Sequence, residues 1–245
     1  MASFMGRTGA GAGAAGRALS PLRSRLGSPG SRNILLNRKQ NKKYLSMSHL
    51  RALCDELTAT LEDVSPAAIT AASSAASSVP GVDVAKVAKQ ELRLVEILRS
   101  IAELVAFGEA AEEPEYFEFF CEKATLALFV EALRLGSAIK TQVVQAISIL
   151  LQNLRSPLSL YMLLSQDHIN RLIQPDAGVA ELELPLDDEE FVTNYVALLK
   201  AISVRLSKDT VQFFLNTAKS SFPLFSRAVP LIAHADPMVS DLSTA

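Results

Sequence analysis

From Asp83 to His234 the apolar residues recur at three- and four-residue spacings, and no stretch sustains the two-residue alternation of a half-buried strand. A chain patterned this way buries its apolar surface by packing helix on helix, so the expected fold class is all-α. Upstream, Leu50, Leu53, Cys54, Leu57, Leu61 and Val64 predict an amphipathic helix from Ser46 to about Asp63. Val84, Val87, Leu94, Leu98, Ile101 and Val105 predict a longer helix from about Asp83 to Phe107, with Gly108 as its C-terminal cap. The aromatic-rich stretch Tyr116 to Leu135 ends at Gly136. The apolar series from Ile139 through Val143, Ile147 and Leu150 to Leu154 marks the next helix, giving an αα-hairpin.

Pro157 suits the first turn of a short helix to about Ser165, and Asp167 is placed to cap His168 to Ile173. After a loop at Gln174 to Pro185, Asp187 or Asp188 caps a helix to about Leu206 carrying Phe191, Tyr195, Leu198, Leu199 and Ile202. Further helical segments fall near Asp209 to Thr217 and Phe222 to His234. Seven or more helices of unequal length do not close easily into a bundle, so short connections favour an armadillo- or HEAT-like stack, although no fixed residue period is kept.

Residues 1–33, rich in Gly, Ala, Ser and Arg, hold too few large apolar groups to offset the entropy of ordering and read as a disordered arm. Residues 34–239 read as the helical domain, with a low-complexity loop at 64–81 and a disordered tail at 240–245. Ten of the 24 Lys and Arg residues precede Asp55, the first acidic residue, and the remainder balances 14 basic against 26 acidic side chains, or −12. The chain is thus a basic arm on an acidic body. Arg38, Lys39, Lys42 and Lys43 are the candidate contacts to an anionic membrane or an acidic partner, and a nuclear-localisation signal or a solvated flank are the other readings. The acid-free, Arg- and Ser-rich start also fits an organellar transit peptide. No run of 18 apolar residues suggests a membrane span.

Little in the chain suggests chemistry. Cys54 and Cys121 lack metal or redox spacing, and His49, His168 and His234 stand in separate helices without a paired-ligand spacing, so neither metal nor cofactor is expected. The pair Asp167-His168 reads as a helix start, and the runs Glu112-Glu113 and Asp187–Glu190 read as charge at helix N-termini. No phosphate loop or nucleophile elbow occurs. In Phe119-Phe120 and Phe213-Phe214 one ring can enter the core while its neighbour covers an edge or meets another helix. An acidic body without interleaved cations and aromatics argues against nucleic acid.

Several blocks nevertheless carry a family resemblance. Phe119-Phe120-Cys121-Glu122-Lys123, and the run Ser159-Leu160-Tyr161-Met162-Leu163-Leu164-Ser165 followed by His168-Ile169-Asn170, resemble signatures of the FPL domain. Tyr195 to Ser203 (with Lys200), Arg205-Leu206 and Thr210 to Phe214 (with Phe213 and Phe214) are similar to its later helices, and Ser31 to Ile34 and Leu45 to Leu57 match its start more weakly. The FPL-domain family comprises the C-type lectin domain family 16 member A and Ema-like proteins. The resemblance implies an armadillo-like, non-enzymatic cytoplasmic scaffold, peripheral on endosomal, lysosomal and Golgi membranes. Its implied work is vesicle-mediated transport, endosome–lysosome maturation and autophagy, through tethering factors, small GTPases or a ubiquitin ligase. No catalytic residues come with the family, and the motif residues read as structural. Pro237-Met238-Val239 resembles a point where family members continue for several hundred residues, which implies the opening domain of a longer scaffold with an exposed apolar edge at Phe222 to Val239.

Overall fold

The computed structural model describes residues 44–63, 84–173, 184–217 and 221–232. Arg38, Lys39, Lys42 and Lys43 lie outside the described residues, as do the arm 1–33, the loop 64–81 (within 64–83) and the tail 240–245.

The fold is all-α. In chain order the helices are α1 (Met47–Asp63), α2 (Val84–Ala110), α3 (Glu115–Glu122), α4 (Thr125–Ala132), α5 (Ser137–Asn153), α6 (Pro157–Ser165), α7 (Asp167–Ile173), α8 (Glu189–Arg205) and α9 (Pro223–Ile232). A 3-10 turn at Val211–Phe214 separates α8 from α9. The only bridge among the described residues outside helices pairs Asn216 with Ser221.

Local chemistry sets several helix starts. The Ser46 hydroxyl accepts the His49 N–H at 3.2 Å, and the Ser156 hydroxyl accepts the Ser159 N–H at 3.3 Å with Pro157 in the first turn of α6. Asp188 caps α8, accepting from the N–H groups of Glu190 and Phe191. Asp167, expected as a cap, is instead the first residue of α7, where its charge still faces the helix N-terminus.

Four other expectations are corrected. Gly108 does not terminate α2, which continues to Ala110. The helix ends where Glu112 takes φ 60°, with Glu113 N–H donating to the Gly108 carbonyl at 2.8 Å and Glu112 N–H to the Glu109 carbonyl at 3.3 Å. These two bonds form a Schellman closure around a non-glycine residue. Gly108 is glycine because Tyr116 lies against it: a Cβ there would sit 2.5 Å from the Tyr116 Cβ.

The stretch Tyr116 to Leu135 is two helices, broken at Ala124, whose φ is 49°. On one straight helix Phe120 and Phe129 would stand about 13.5 Å apart along the axis and on opposite faces. The break brings their rings edge to face at 5.9 Å, both fully buried. Glu112 and Glu113 do not cap α3 with their side chains; Pro114 holds the cap position, and Glu115 and Glu118 supply the first-turn charge. The segment Asp209 to Thr217 shortens to the four-residue 3-10 turn, because Ser207 and Thr210 bond each other and Leu215 leaves in an extended conformation.

The long helices form a row. α1 packs on α2, α2 on α5, α5 on α8 and α8 on α9, while α4 touches α1, α3, α5 and α7. Three bonds fix the direction of α8 on α5: Ser137 Oγ to Asp188 Oδ2 at the starts, Gln145 Nε2 to Asn194 Oδ1 midway, and Arg205 to the Gln152 carbonyl at the ends. The two helices therefore run parallel. Glu109, near the end of α2, accepts the N–H groups of Arg155 and Ser156 just past the end of α5, so α2 ends beside the end of α5. α5 sits between α2 and α8 and buries residues on nearly every side, including Thr141, Gln142 and Ser148, as a central helix does.

Candidate interaction surface

The family-motif residues divide into core, lock and surface. Phe119 and Phe120 are both buried, so neither merely covers an edge. Phe119 meets the neighbouring α1, lying under the Arg51 guanidinium at 4.8 Å and the Lys123 ammonium at 5.8 Å. Lys123 is exposed and 3.8 Å from Asp55, and Glu122 is exposed on α3. Leu164 is buried and Leu160 packs half-buried against the core.

Tyr195, fully buried on α8, donates its hydroxyl to the Leu172 carbonyl at 2.9 Å and accepts from Arg227 at 3.3 Å, locking α7, α8 and α9 together. Asn170 donates to the Phe213 carbonyl at 2.8 Å, tying the 3-10 turn to α7. Phe214 is buried and Phe213 half-buried, the division expected of that pair. Lys200 is half-buried on α8. The Nδ1 of His168 is buried without a partner; burial first, then the Arg171 charge, hold its pKa below the ordinary value, with Asp167 opposing.

Chemistry has little to work with among the described residues. No group of three or more His, Cys, Asp or Glu is placed to hold a metal ion, and no helix is long and apolar enough to cross a membrane. An open cleft of about 330 Å³ lies between α1 and the α3–α4 turn, lined by Cys54, Asp55, Thr58, Glu62, Lys123 and Leu128. Burial raises the Cys54 pKa, with a Thr125 hydrogen bond opposing, so its thiol stays protonated at neutral pH. Burial also pushes Cys121 up to about 11.

The conspicuous surface is on α6. This nine-residue helix carries no charged side chain, yet only Leu163 and Leu164 are fully buried. Leu158, Tyr161 and Met162, at i, i+3 and i+4, remain 68%, 41% and 41% exposed. The Tyr161 ring meets Phe213 edge to face at 5.1 Å, which extends the apolar surface onto the 3-10 turn and toward exposed Leu215. Sequence reasoning placed Tyr161 among structural motif residues and passed over Leu158 and Met162; an apolar sequence all around so short a helix was the available signal. α9 shows a second exposed pair one turn apart, Phe225 at 64% and Val229.

Comparison with known proteins places these elements. Protein TRANSPARENT TESTA 9 of Arabidopsis thaliana is 33% identical over 151 residues, 60% of this chain and 17% of the relative. The Protein CLEC16A homolog of Drosophila melanogaster is 33% identical over 150 residues, and Protein CLEC16A of Homo sapiens 33% over 148, each covering 60% of this chain and 13% of the relative. The chain thus spans less than a fifth of the length of these relatives. No solved structure matches. The family described as FPL, an uncharacterised conserved protein, matches residues 98–244, which hold the latter part of α2 and everything described after it, including the Phe222-Pro223-Leu224 tripeptide that opens α9 and that sequence reasoning did not single out. Over 60% of its length matches in this way, and the chain belongs to the FPL family.

Proposed function

We propose that this chain is a non-enzymatic adaptor in endosomal and vesicle trafficking and autophagy, acting through protein–protein contacts made by a rigid helical stack of the armadillo or HEAT type. The observation that carries the reading is the uncharged, solvent-facing side of α6, held in place by Leu163 and Leu164 beneath it and by Phe213 beside it. An exposed apolar cluster on an otherwise well-packed body is the usual mark of a docking site. The parallel course of α5 and α8, with short helices between them, supports the stack. The FPL membership and the CLEC16A and TRANSPARENT TESTA 9 relatives support the cellular setting. Tethering factors, small GTPases or a ubiquitin ligase are the partners in this reading, and Arg38, Lys39, Lys42 and Lys43 hold the chain to anionic membrane.

Proximity labelling with the full chain tests the setting: enrichment of endosomal and autophagic tethering proteins over a cytosolic control supports it, and a profile indistinguishable from the control refutes it. Co-sedimentation with phosphatidylserine vesicles tests the arm. Replacing the four cations by Gln weakens binding if the arm contacts the membrane, and equal binding by both forms removes it from the mechanism.

A further inference from the structure

The charge of the described body is not evenly spread. Residues 44–63 and 84–153 carry eight cations and fourteen anions, whereas residues 154–173, 184–217 and 221–232 carry six cations and six anions, four of those anions in the run Asp187–Glu190 at the start of α8. The exposed large apolar side chains gather in the second group, with Leu158, Tyr161, Met162, Leu186, Val204, Leu215, Phe225 and Val229 there and Tyr44 and Leu92 in the first. Around α6, exposed apolar side chains are flanked by cations. Arg155 is exposed just before the helix, and Arg205 reaches the carbonyl of Gln152, five residues before Pro157. Lys208 is exposed in the turn that leads to Phe213.

Glu109 is the anion nearest the start of α6, and its carboxylate is engaged by the backbone N–H groups of Arg155 and Ser156. The acidic run Asp187–Glu190 lies at the other end of α8, about 24 Å from Arg205 along the helix. That is more than twice the screening length of about 8–10 Å in physiological salt.

We infer that the α6 face, with Phe213 and Leu215, docks an amphipathic helix of a partner protein whose apolar stripe is flanked by Asp or Glu. This rests on the adaptor reading and narrows it to one face and one partner chemistry. Leu158, Tyr161 and Met162 share one side of α6, and the Tyr161 ring carries that surface onto Phe213 at 5.1 Å, an i, i+3, i+4 apolar row of the kind a partner helix packs against. Tyr, Met and Arg are the residue types enriched at interfaces, and the exposed Arg155 and Lys208 select the sign of the partner's flanks. The same surface is less suited to a bilayer, because its cations are separate residues at the edge of the patch and do not form a Lys-rich cluster.

The test measures binding of the full chain, by fluorescence anisotropy, to two synthetic amphipathic helices with the same leucine and phenylalanine stripe, one flanked by Glu and one by Lys. The Glu-flanked peptide is expected to bind about tenfold more tightly, with the preference shrinking as salt rises from about 50 to about 300 mM. Arg155→Glu with Lys208→Glu should erase or invert the preference. Leu158→Gln with Met162→Gln should weaken both peptides by about tenfold. These side chains are solvent-facing, and an unchanged far-UV spectrum and melting temperature establish that each variant folds.

Equal affinity for the two peptides, or binding indifferent to the four substitutions, overturns the proposal. So does binding to phosphatidylserine vesicles, without peptide binding, that depends on Leu158 and Met162, or self-association that the Gln variant abolishes. Proximity labelling with the Leu158→Gln, Met162→Gln chain separates the two readings. Trafficking proteins recovered equally by both chains keep the adaptor function and reject this face. Peptide selectivity without recovered trafficking proteins keeps the face and rejects the function.

Discussion

Gly108→Ala offers a sharp test of how the helices are fitted, because two rules predict opposite signs for it. Gly108 lies inside α2 with an ordinary negative-side backbone, so helix propensity alone favours alanine by about 1 kcal/mol. The new Cβ, however, would stand 2.5, 2.6 and 2.7 Å from Cβ, Cγ and Cδ2 of Tyr116. Comfortable carbon–carbon contact needs about 3.5–4.0 Å, so the helices must separate locally by about 1 Å. The nearest atom is the Tyr116 Cβ, which is fixed to the α3 backbone, so a rotamer change does not relieve the contact. α3 is itself anchored by buried Phe117, Phe119 and Phe120, and the Tyr116 ring rests edge to face on Phe107 at 6.0 Å.

Overpacking of this kind costs about 1–3 kcal/mol, and a contact to a backbone-anchored atom belongs at the upper end. Net of propensity, Gly108→Ala should destabilise by about 2 kcal/mol, or lower Tm by about 4–8 °C for a chain of this size. Urea unfolding followed by far-UV circular dichroism measures it, with Ala106→Gly, two residues earlier on the same helix, losing about 1 kcal/mol from propensity alone. Tyr116→Ala should rescue Gly108→Ala only in part, because the closest atom stays. A Gly108→Ala protein as stable as the parent would refute the steric account.

Three further outcomes follow from the geometry. Tyr195→Phe should cost about 1–3 kcal/mol in urea unfolding, because it leaves the Leu172 carbonyl without its donor and Arg227 without its acceptor. Asp188→Ala should cost about 1 kcal/mol near neutral pH as a lost helix cap. The Ser137 hydrogen bond, then the Phe191 and Glu190 N–H groups, depress the folded pKa of Asp188. Its contribution is therefore present above the unfolded value near about 3.9 and lost as pH falls through the folded one, so parent and variant should converge in acid. Cys121, raised to about 11 by burial, holds about 300-fold less thiolate than a free cysteine. Its greater nucleophilicity offsets part of this, and native alkylation should run about 20–30-fold slower than for a free thiol, becoming fast only on unfolding.

How much of this was legible beforehand depends on whether the cause is local. Ser46, Ser156 with Pro157, and Asp188 announce helix starts because a hydroxyl or carboxylate reaches an N–H two or three residues away, within the segment that encodes it. The apolar spacings of α1, α5 and α8 likewise fix their buried faces. The break at Ala124 has no such sign, since Cys121 to Ala124 contains neither Gly nor Pro; it exists because Phe120 and Phe129 must meet in one core. Gly108 looks like a cap in one dimension and is a contact point for Tyr116 in three.

The α6 surface belongs to the same class. Sequence determined that Pro157–Ser165 is helical and apolar on all sides, which would suit a buried helix. Only the tertiary structure decided that α6 covers the core with Leu163 and Leu164 and that, among the described residues, no helix lies over Leu158, Tyr161 and Met162. Helix formation is settled by groups a few residues apart, whereas burial is settled by which distant segments arrive. A local pattern can state what a face is made of and still leave open whether anything comes to cover it.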